Sequence, residues 1–392
     1  MRGHYKKNFA QGYNGEILKI CMTAGGISYN GLKLMNGDRE TYTNAIRKLK
    51  KENILSVKWV GRNCIATFTN FDNVQELFID DYISYLGTYT RYISQKSKAL
   101  GWYKSVKHKS ESIKAFRYSD IIMLLYGTSV KTLTSDKPKL YKDEIVTDGD
   151  AYFYSDTEVK ALVGGTVLID DENKNEKFIV TSRAQGFIVS NGGIYMVYHT
   201  GGANRMAWRT SQEQQMKFRT AKFITKYFNG NYTLQEINDC IVYADTINPF
   251  VEIFNDETQN KKNKYANYMS LENGYANTYF LPYSKEGQYL TDFMTHKDWK
   301  ERMIGYFIED GSVKKAKIGS VADLNDEKHP ILLFCIPNAM RLYKFLLNAE
   351  IVDKEFHVYC FDFQEEFLNA VVDGKAKIFS TPFEDFMKAM EG

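Results

Sequence analysis

The spacing of apolar residues near the amino terminus changes period within a short stretch of chain. Ile17, Leu18, Ile20 and Cys21 give one apolar face to a helix predicted over residues 13–23, ended by Gly25-Gly26. Ser28 is placed to cap a short second helix through Leu32, Leu34 and Met35. After the Asn36-Gly37 turn, Asp38 is an N-cap for a third helix running to about Lys51. Its Tyr42, Ala45, Ile46 and Leu49 fall at i, i+3, i+4 and i+7, a single stripe that leaves Arg39, Thr43, Asn44, Arg47, Lys48 and Lys51 facing outward. The period then shortens to two. Leu55, Val57 and Trp59 alternate along one strand, Gly61-Arg62-Asn63 makes a tight turn, and Cys64, Ala66 and Phe68 alternate along a second. Helix, helix, basic helix and a hairpin with a basic tip is the order of a winged helix-turn-helix, assigned to residues 1–72.

Residues 73–137 read as a helical linker. Within it, residues 96–114 carry six lysines against one acid, Glu111, which suits either an extension of a nucleic-acid footprint or a wet helical face. Ser135-Asp136-Lys137-Pro138 breaks the helical pattern and marks a boundary. Residues 138–392 then read as an α/β domain. Ser155-Asp-Thr-Glu158 is a capping box, residues 183–189 and 194–199 are the arms of a hairpin, and residues 213–228 form an amphipathic helix closed by Asn229-Gly230. Residues 255–277 are rich in Asn, Lys and Glu and weakly periodic, which predicts a mobile surface insertion. A helix over residues 285–307 precedes a strand at 331–336, a helix at 339–348, a strand at 356–361 and a helix from Glu365, the pattern of a parallel βαβ unit. The fold class is therefore a multidomain α+β or α/β protein.

Composition changes this picture little. An apolar fraction of 44% and a charged fraction of 25% over 392 residues are those of an ordinary globular chain of two or three domains. The longest apolar runs, residues 121–126 and 331–336, are six residues each, far short of the roughly 20 needed to span a bilayer, so no membrane partner is expected. The basic start, Met1-Arg-Gly-His-Tyr-Lys-Lys7, has no apolar segment after it, and a cytoplasmic location without a secretory signal is the expectation. Cys21, Cys64, Cys240, Cys335 and Cys360 are far apart and read as reduced, mostly buried thiols. No two histidines fall within a helical turn of each other, so neither a metal nor another cofactor is expected.

Charge adds more. Residues 1–70 hold twelve basic and four acidic side chains, a surplus of +8, against a total of only +3 for the whole chain. Such asymmetry points to nucleic acid as the partner of the amino-terminal part alone. In a winged-helix geometry, Arg39, Thr43, Asn44 and Arg47 would meet base edges in the major groove, with Lys48, Lys50 and Lys51 nearer phosphates. Arg62 at the wing tip and an arm carrying Arg2, Lys6 and Lys7 would reach the minor groove. For Lys50, simple solvation at a helix end, where a cation also suits the dipole, is the competing reading.

The run Gly37-Asp-Arg-Glu-Thr-Tyr-Thr-Asn-Ala-Ile-Arg-Lys-Leu-Lys-Lys51, the wing, Lys137-Pro-Lys-Leu140, Phe153-Tyr-Ser-Asp-Thr-Glu-Val-Lys160 and Ser182-Arg-Ala-Gln-Gly-Phe187 together resemble the replication-relaxation family over residues 10–230. That resemblance implies a protein of a plasmid or conjugative element, with a winged helix and a carboxy-terminal domain related to the restriction-endonuclease-like fold. It also implies acids on the hairpin strands, but the matching positions here are Gln185-Gly186 and Val197-Tyr-His199. A magnesium nuclease needs two or three carboxylates and a nearby lysine, so the fold is expected to be degenerate. Glu158-Val-Lys160 is the one Glu-x-Lys nearby, with Glu158 better explained by the capping box. Tyr198, His199 and Arg205 either line a cleft or belong to a packed hairpin. No His-x-His and no phosphate loop of the Gly-Lys-Ser/Thr type occurs.

The sequence thus predicts a non-enzymatic, sequence-specific binder of double-stranded DNA that serves replication, mobilisation or regulation of a mobile element. Its expected partners are DNA, a second copy of itself, and a relaxase or replication protein. The alternatives are a metal-dependent endonuclease working through Glu158 and Lys160, a transcriptional regulator, and a protein-interaction scaffold whose basic surface is incidental.

Overall fold

A computed structural model describes residues 11–60, 63–69, 109–133, 136–138, 140, 146, 149–163, 182–228, 237–259, 267–308, 313–317, 320–326 and 328–391. Among the described residues the protein is mixed α/β, with eleven α-helices and three sheets. The chain divides into two compact units, Met1–Ser190 with Ser211–Ile237, and Asn191–Thr210 with Asn238–Gly392.

The first unit opens with α1 (Gly12–Ala24), β1 (Ile27–Ser28), a 3₁₀ turn (Gly31–Leu34), α2 (Arg39–Lys51), β2 (Leu55–Val60) and β3 (Asn63–Phe68). Gly25 ends α1 in the left-handed conformation, φ 81°, and its N–H donates to the Cys21 carbonyl at 2.9 Å. The short second helix expected after Ser28 is a single 3₁₀ turn with Asn30 at its N-cap and no side-chain cap bond, while Ser28 Oγ accepts from the amides of Asn30 and Gly31 at 3.1 and 3.4 Å. Its backbone has a second task. β1 pairs antiparallel with β3, Ile27 opposite Ala66 and Ser28 opposite Ile65, and β3 in turn pairs with β2. The sheet order is β1-β3-β2, so β3 is central. Cys64, Ile65, Ala66, Thr67 and Phe68 are consequently all buried, and the alternation expected of β3 is absent because the sheet has no wet face at that strand.

Helix α3 (Lys109–Tyr126) packs against α1, the 3₁₀ turn, β1 and β2. Ile121, Ile122, Met123, Leu124 and Leu125 are consecutive and fully buried, as in a helix covered on every side. Ser119 Oγ accepts the Ser28 amide at 2.8 Å, which ties α3 to the edge of the sheet. The rest of the first unit holds β4 (Tyr152–Ser155), α4 (Asp156–Val163), β5 (Gly186–Ser190) and α5 (Thr210–Tyr227). β4 and β5 are antiparallel, and Tyr154 packs between Phe187 and Phe223 at ring separations of 5.8 and 4.8 Å. Gly186 sits where any Cβ would lie 2.2 Å from the Tyr154 carbonyl oxygen, so only glycine fits.

The second unit contains two parallel arrangements. β6 (Gly193–His199), β7 (Asp239–Ala244) and β8 (Asn277–Pro282) are parallel neighbours, with α6 (Asn248–Thr258) linking β7 to β8. After α7 (Lys285–Met294) and α8 (Trp299–Ile308) come β9 (Lys314–Lys315), β10 (Leu324–Asn325), β11 (Pro330–Leu333), α9 (Ala339–Ile351), β12 (His357–Phe361), α10 (Asp362–Val372), β13 (Lys377–Thr381) and α11 (Phe383–Glu391). Their sheet runs β13-β12-β11-β10-β9, parallel from β11 through β13 and antiparallel across β10 and β9. The βαβ unit read from the tail is present and extends one strand and one helix further.

Two expectations differ in detail. The single helix over residues 285–307 is broken after Met294, and the break frees the Thr295 carbonyl to accept the Gly192 amide at 2.8 Å while Trp299 Nε1 donates to the Tyr195 hydroxyl at 3.0 Å. Residues 255–258 complete α6, and the segment from Asn267 on is fixed by backbone bonds to Met206 and Trp208. Its asparagines serve the structure. Asn273 is buried and bridges Ser270, Tyr275 and Thr278, a role polar composition alone does not reveal.

Candidate nucleic-acid interface

The outward face of α2 is built from its buried one. Asp38 accepts the amides of Glu40 and Thr41 at 3.1 and 3.2 Å, which fixes where the helix starts. Tyr42, Ile46 and Leu49 are then buried, and Ala45 is half-buried beside them. Tyr42 sets the rotation about the helix axis. Its hydroxyl donates to Glu16 Oε2 at 2.6 Å and its ring meets Tyr13 edge-on at 5.0 Å. Burial, then the bond to Glu16, pushes the Tyr42 hydroxyl well above the usual tyrosine range.

With that face inward, Arg39, Asn44, Arg47, Lys48, Lys50 and Lys51 are exposed and Thr43 is half-exposed. Helical spacing sets Arg39, Thr43 and Arg47 in one row and Asn44, Lys48 and Lys51 in the next. Thr43 Oγ1 donates to the Arg39 carbonyl at 2.8 Å, and Arg47 Nη1 donates to Asn44 Oδ1 at 2.9 Å. The Arg47–Asn44 pair therefore presents a guanidinium and an amide side by side, the two side-chain types that read guanine and adenine edges. Glu40 is the sole acid in the helix and lies in its first turn, whereas Lys48, Lys50 and Lys51 occupy the last turn.

The positions proposed from sequence for the wing tip and the arm, Arg62, Lys6 and Lys7, lie outside the described residues. Trp59, next to that tip, was expected to share the apolar side of β2 with Leu55 and Val57. Leu55 is buried, Val57 is half-buried and Trp59 is 73% exposed, because β2 is an edge strand whose last residues extend past the core. An aromatic between Lys58 and a Gly-Arg turn was the available signal that this position faces outward.

The Glu158 and Lys160 side chains are engaged in local structure. Ser155 and Glu158 form the reciprocal capping box, Glu158 N donating to Ser155 Oγ at 3.1 Å and Ser155 N donating to Glu158 Oε2 at 2.8 Å. Glu158 Oε1 takes the ammonium of Lys137 at 2.5 Å, and Lys137 also donates to the Phe153 carbonyl at 3.0 Å. Lys160 pairs one helical turn back with Asp156 at 2.8 Å. Gln185, Val197 and His199, where the resembled family carries acids, are all buried. Tyr198 bonds the Tyr275 hydroxyl at 2.8 Å, His199 packs edge-on against Tyr283, and Arg205 holds Asp256 in a two-pronged contact at 2.8 and 3.1 Å with Glu252 as a further partner. These three belong to packing and ion pairing within the second unit.

A cavity of about 570 Å³ lies in the second unit beyond the carboxyl ends of β7 and β8, lined by Asp245, Thr246, Phe250, Phe280, Phe363 and Phe367 among others. Carboxyl ends of parallel strands are the usual place for a ligand in an α/β sheet. All five cysteines are free and buried, with Cys360 pushed by burial up to about 12. Among the described residues no helix is long and apolar enough to cross a membrane. Comparison with protein-family models, curated proteins and solved structures finds no match.

Proposed function

We propose that residues 12–68 form a winged helix-turn-helix that binds double-stranded DNA, with α2 in the major groove and the β2–β3 hairpin as the wing. The observation that carries this reading is the division of α2 into a buried stripe of Tyr42, Ile46 and Leu49 and an exposed face holding Arg39, Asn44, Arg47, Lys48, Lys50 and Lys51. The element order and the β1-β3-β2 sheet support it. A single such module buries about 600–1,000 Å² on DNA, so a second copy of the chain would be needed for a larger footprint.

The biological setting we propose is the one implied by the resemblance: marking an origin or operator of a plasmid or conjugative element and recruiting a relaxase or replication protein in the cytoplasm. In this reading the α/β part is a degenerate nuclease-like fold without chemistry of its own. Endonuclease action through Glu158 and Lys160 has less support, since both Glu158 oxygens are already bound and a buried pair with Lys137 leaves no carboxylate set for a hard cation.

Binding of the full chain to a labelled duplex, followed by anisotropy at stepwise salt, tests the proposal. Groove binding predicts log affinity falling linearly with log salt, and a slope lower by about one in Lys48→Ala or Lys51→Ala. Absence of duplex binding at low salt would overturn it. Nicking of supercoiled plasmid in magnesium that Lys160→Ala abolishes would instead establish the enzymatic reading.

A further inference from the structure

We propose that Asp326, His329 and His357 bind one divalent transition-metal ion, with Glu355 orienting His357 from behind. One ligand atom from each of the three residues lies within 4.8 Å of the others. Asp326 Oδ1 and Oδ2 are each 2.9 Å from His329 Nδ1. The edge of a tetrahedral zinc site with imidazole ligands is roughly 3.3 Å, so closing the ligand-atom distances requires shifts of about an ångström or less per group, together with a turn of one ring.

The tautomer of His357 is what makes the cluster a site. Its Nε2 donates to Glu355 Oε1 at 3.0 Å, which leaves the lone pair on Nδ1. That Nδ1 is buried without a hydrogen-bond partner, on a side chain only 8% exposed. A metal-ligating histidine characteristically gives its other nitrogen to a carboxylate, which is the arrangement His357 and Glu355 already have.

The two imidazoles stack at 4.3 Å and 18°, so their in-plane lone pairs converge on one ion only once the partly exposed His329 ring rotates out of the stack. A cation bound at this corner takes the Nδ1 lone pair of His329, whose single ring proton then sits on Nε2, in place of the contact between Nδ1 and Asp326. Two imidazoles and a carboxylate suit zinc, cobalt or nickel over magnesium or calcium, and the fourth position falls to water.

Position in the fold gives the ion its task. Asp326 follows β10, His329 precedes β11 and His357 opens β12, so the ion pins the antiparallel β9–β10 arm to the parallel strands. These are the amino ends of β11 and β12, away from the carboxyl ends where substrates bind in such sheets, and a clamp is the role that fits. The absence of paired histidines in sequence hid the site, since it is assembled from a turn and a strand on either side of α9.

The test uses the full, untagged chain, stripped with a chelator and titrated with Co²⁺ and then Zn²⁺. One ion per chain is expected, with visible Co²⁺ d–d bands that Zn²⁺ displaces and a melting temperature that rises with Zn²⁺. Affinity should fall at least tenfold in His357→Ala. The Asp326→Asn/His329→Gln double variant, altered in a partly exposed turn, should show the same loss with an unchanged circular dichroism spectrum. No ion retained at micromolar concentration, or equal retention by the folded double variant, would overturn the proposal.

Discussion

Lys137 Nζ lies 2.5 Å from Glu158 Oε1, with both side chains withdrawn from solvent, so each charge depends on the other. Burial lowers the proton affinity of Lys137 and Glu158 works to restore it. Removing one partner strands the other. Glu158→Ala should cost about 3–5 kcal/mol in denaturant unfolding. Lys160→Ala breaks a pair one turn apart in which the lysine is partly exposed and Asp156 is buried, and should cost less than Glu158→Ala, on the order of 1 kcal/mol. A loss of plasmid nicking in Glu158→Ala alone would therefore report folding, and Lys160→Ala is the cleaner probe of chemistry.

On α2, Arg47 and Lys51 should behave differently. Arg47→Ala is expected to weaken the preferred duplex by about 1–3 kcal/mol and relax its sequence preference, read from competition among duplexes of varied sequence. Lys51→Ala should weaken all duplexes alike. Equal effects of both on every duplex would reduce α2 to a phosphate-binding surface.

Trp59 offers a separation of binding from stability. At 73% exposure its replacement by Ala should leave the unfolding midpoint within about 0.5 kcal/mol of the parent. Duplex affinity should nevertheless drop if the hairpin lies against DNA, whereas an unchanged affinity would remove β2 from the interface.

Tyr195 joins three segments through one oxygen, accepting from Trp299 Nε1 at 3.0 Å and donating to the Gly192 carbonyl at 2.8 Å. Tyr195→Phe keeps the ring but leaves the indole N–H without that partner, at an expected cost of about 1–3 kcal/mol. Chemical denaturation, with Trp fluorescence as the signal, measures it. A cost near zero would mean that the bond adds nothing beyond ring packing.

Alkaline pH should unfold the protein cooperatively. Burial raises the hydroxyls of Tyr42, Tyr195, Tyr243 and Tyr279 above the usual value. An acid raised in the folded state keeps its proton while the unfolded chain loses it. Its stabilising contribution is therefore complete below the unfolded value of about 10 and lost as pH rises toward the folded one. Tyrosinate absorbance should appear together with loss of helix signal, and smooth ionisation of these tyrosines with the helices intact would contradict the burial.

Much of the architecture was legible along the chain because its signals are local. Asp38 before an i, i+3, i+4, i+7 stripe sets α2, and Ser155 three residues before Glu158 sets α4. What escaped depends on partners distant in sequence. β1 is two residues long and exists only because β3 accepts it, so neither its presence nor the burial of Ile65 and Thr67 could follow from period. Lys137 looked like part of a boundary because its partner is 21 residues away. His329 and His357 looked scattered for the same reason. In the candidate interface, the face of α2 was readable to the residue, whereas the exposure of Trp59 depended on how far β2 extends beyond the core.

The hydrogen bond from the Ser28 amide to Ser119 makes the basic helix hard to transplant. Its supporting sheet takes part of its apolar cover from α3, and cutting the chain at residue 72 would remove that helix with its run of five buried residues and leave the surface it covers bare. A fragment of that length should be sticky and poorly folded, and one carried on through Tyr126 should be well behaved. On the proposed reading, the binding module would not be a portable cassette, and swapping specificity would mean grafting side chains onto α2 and leaving its surroundings in place.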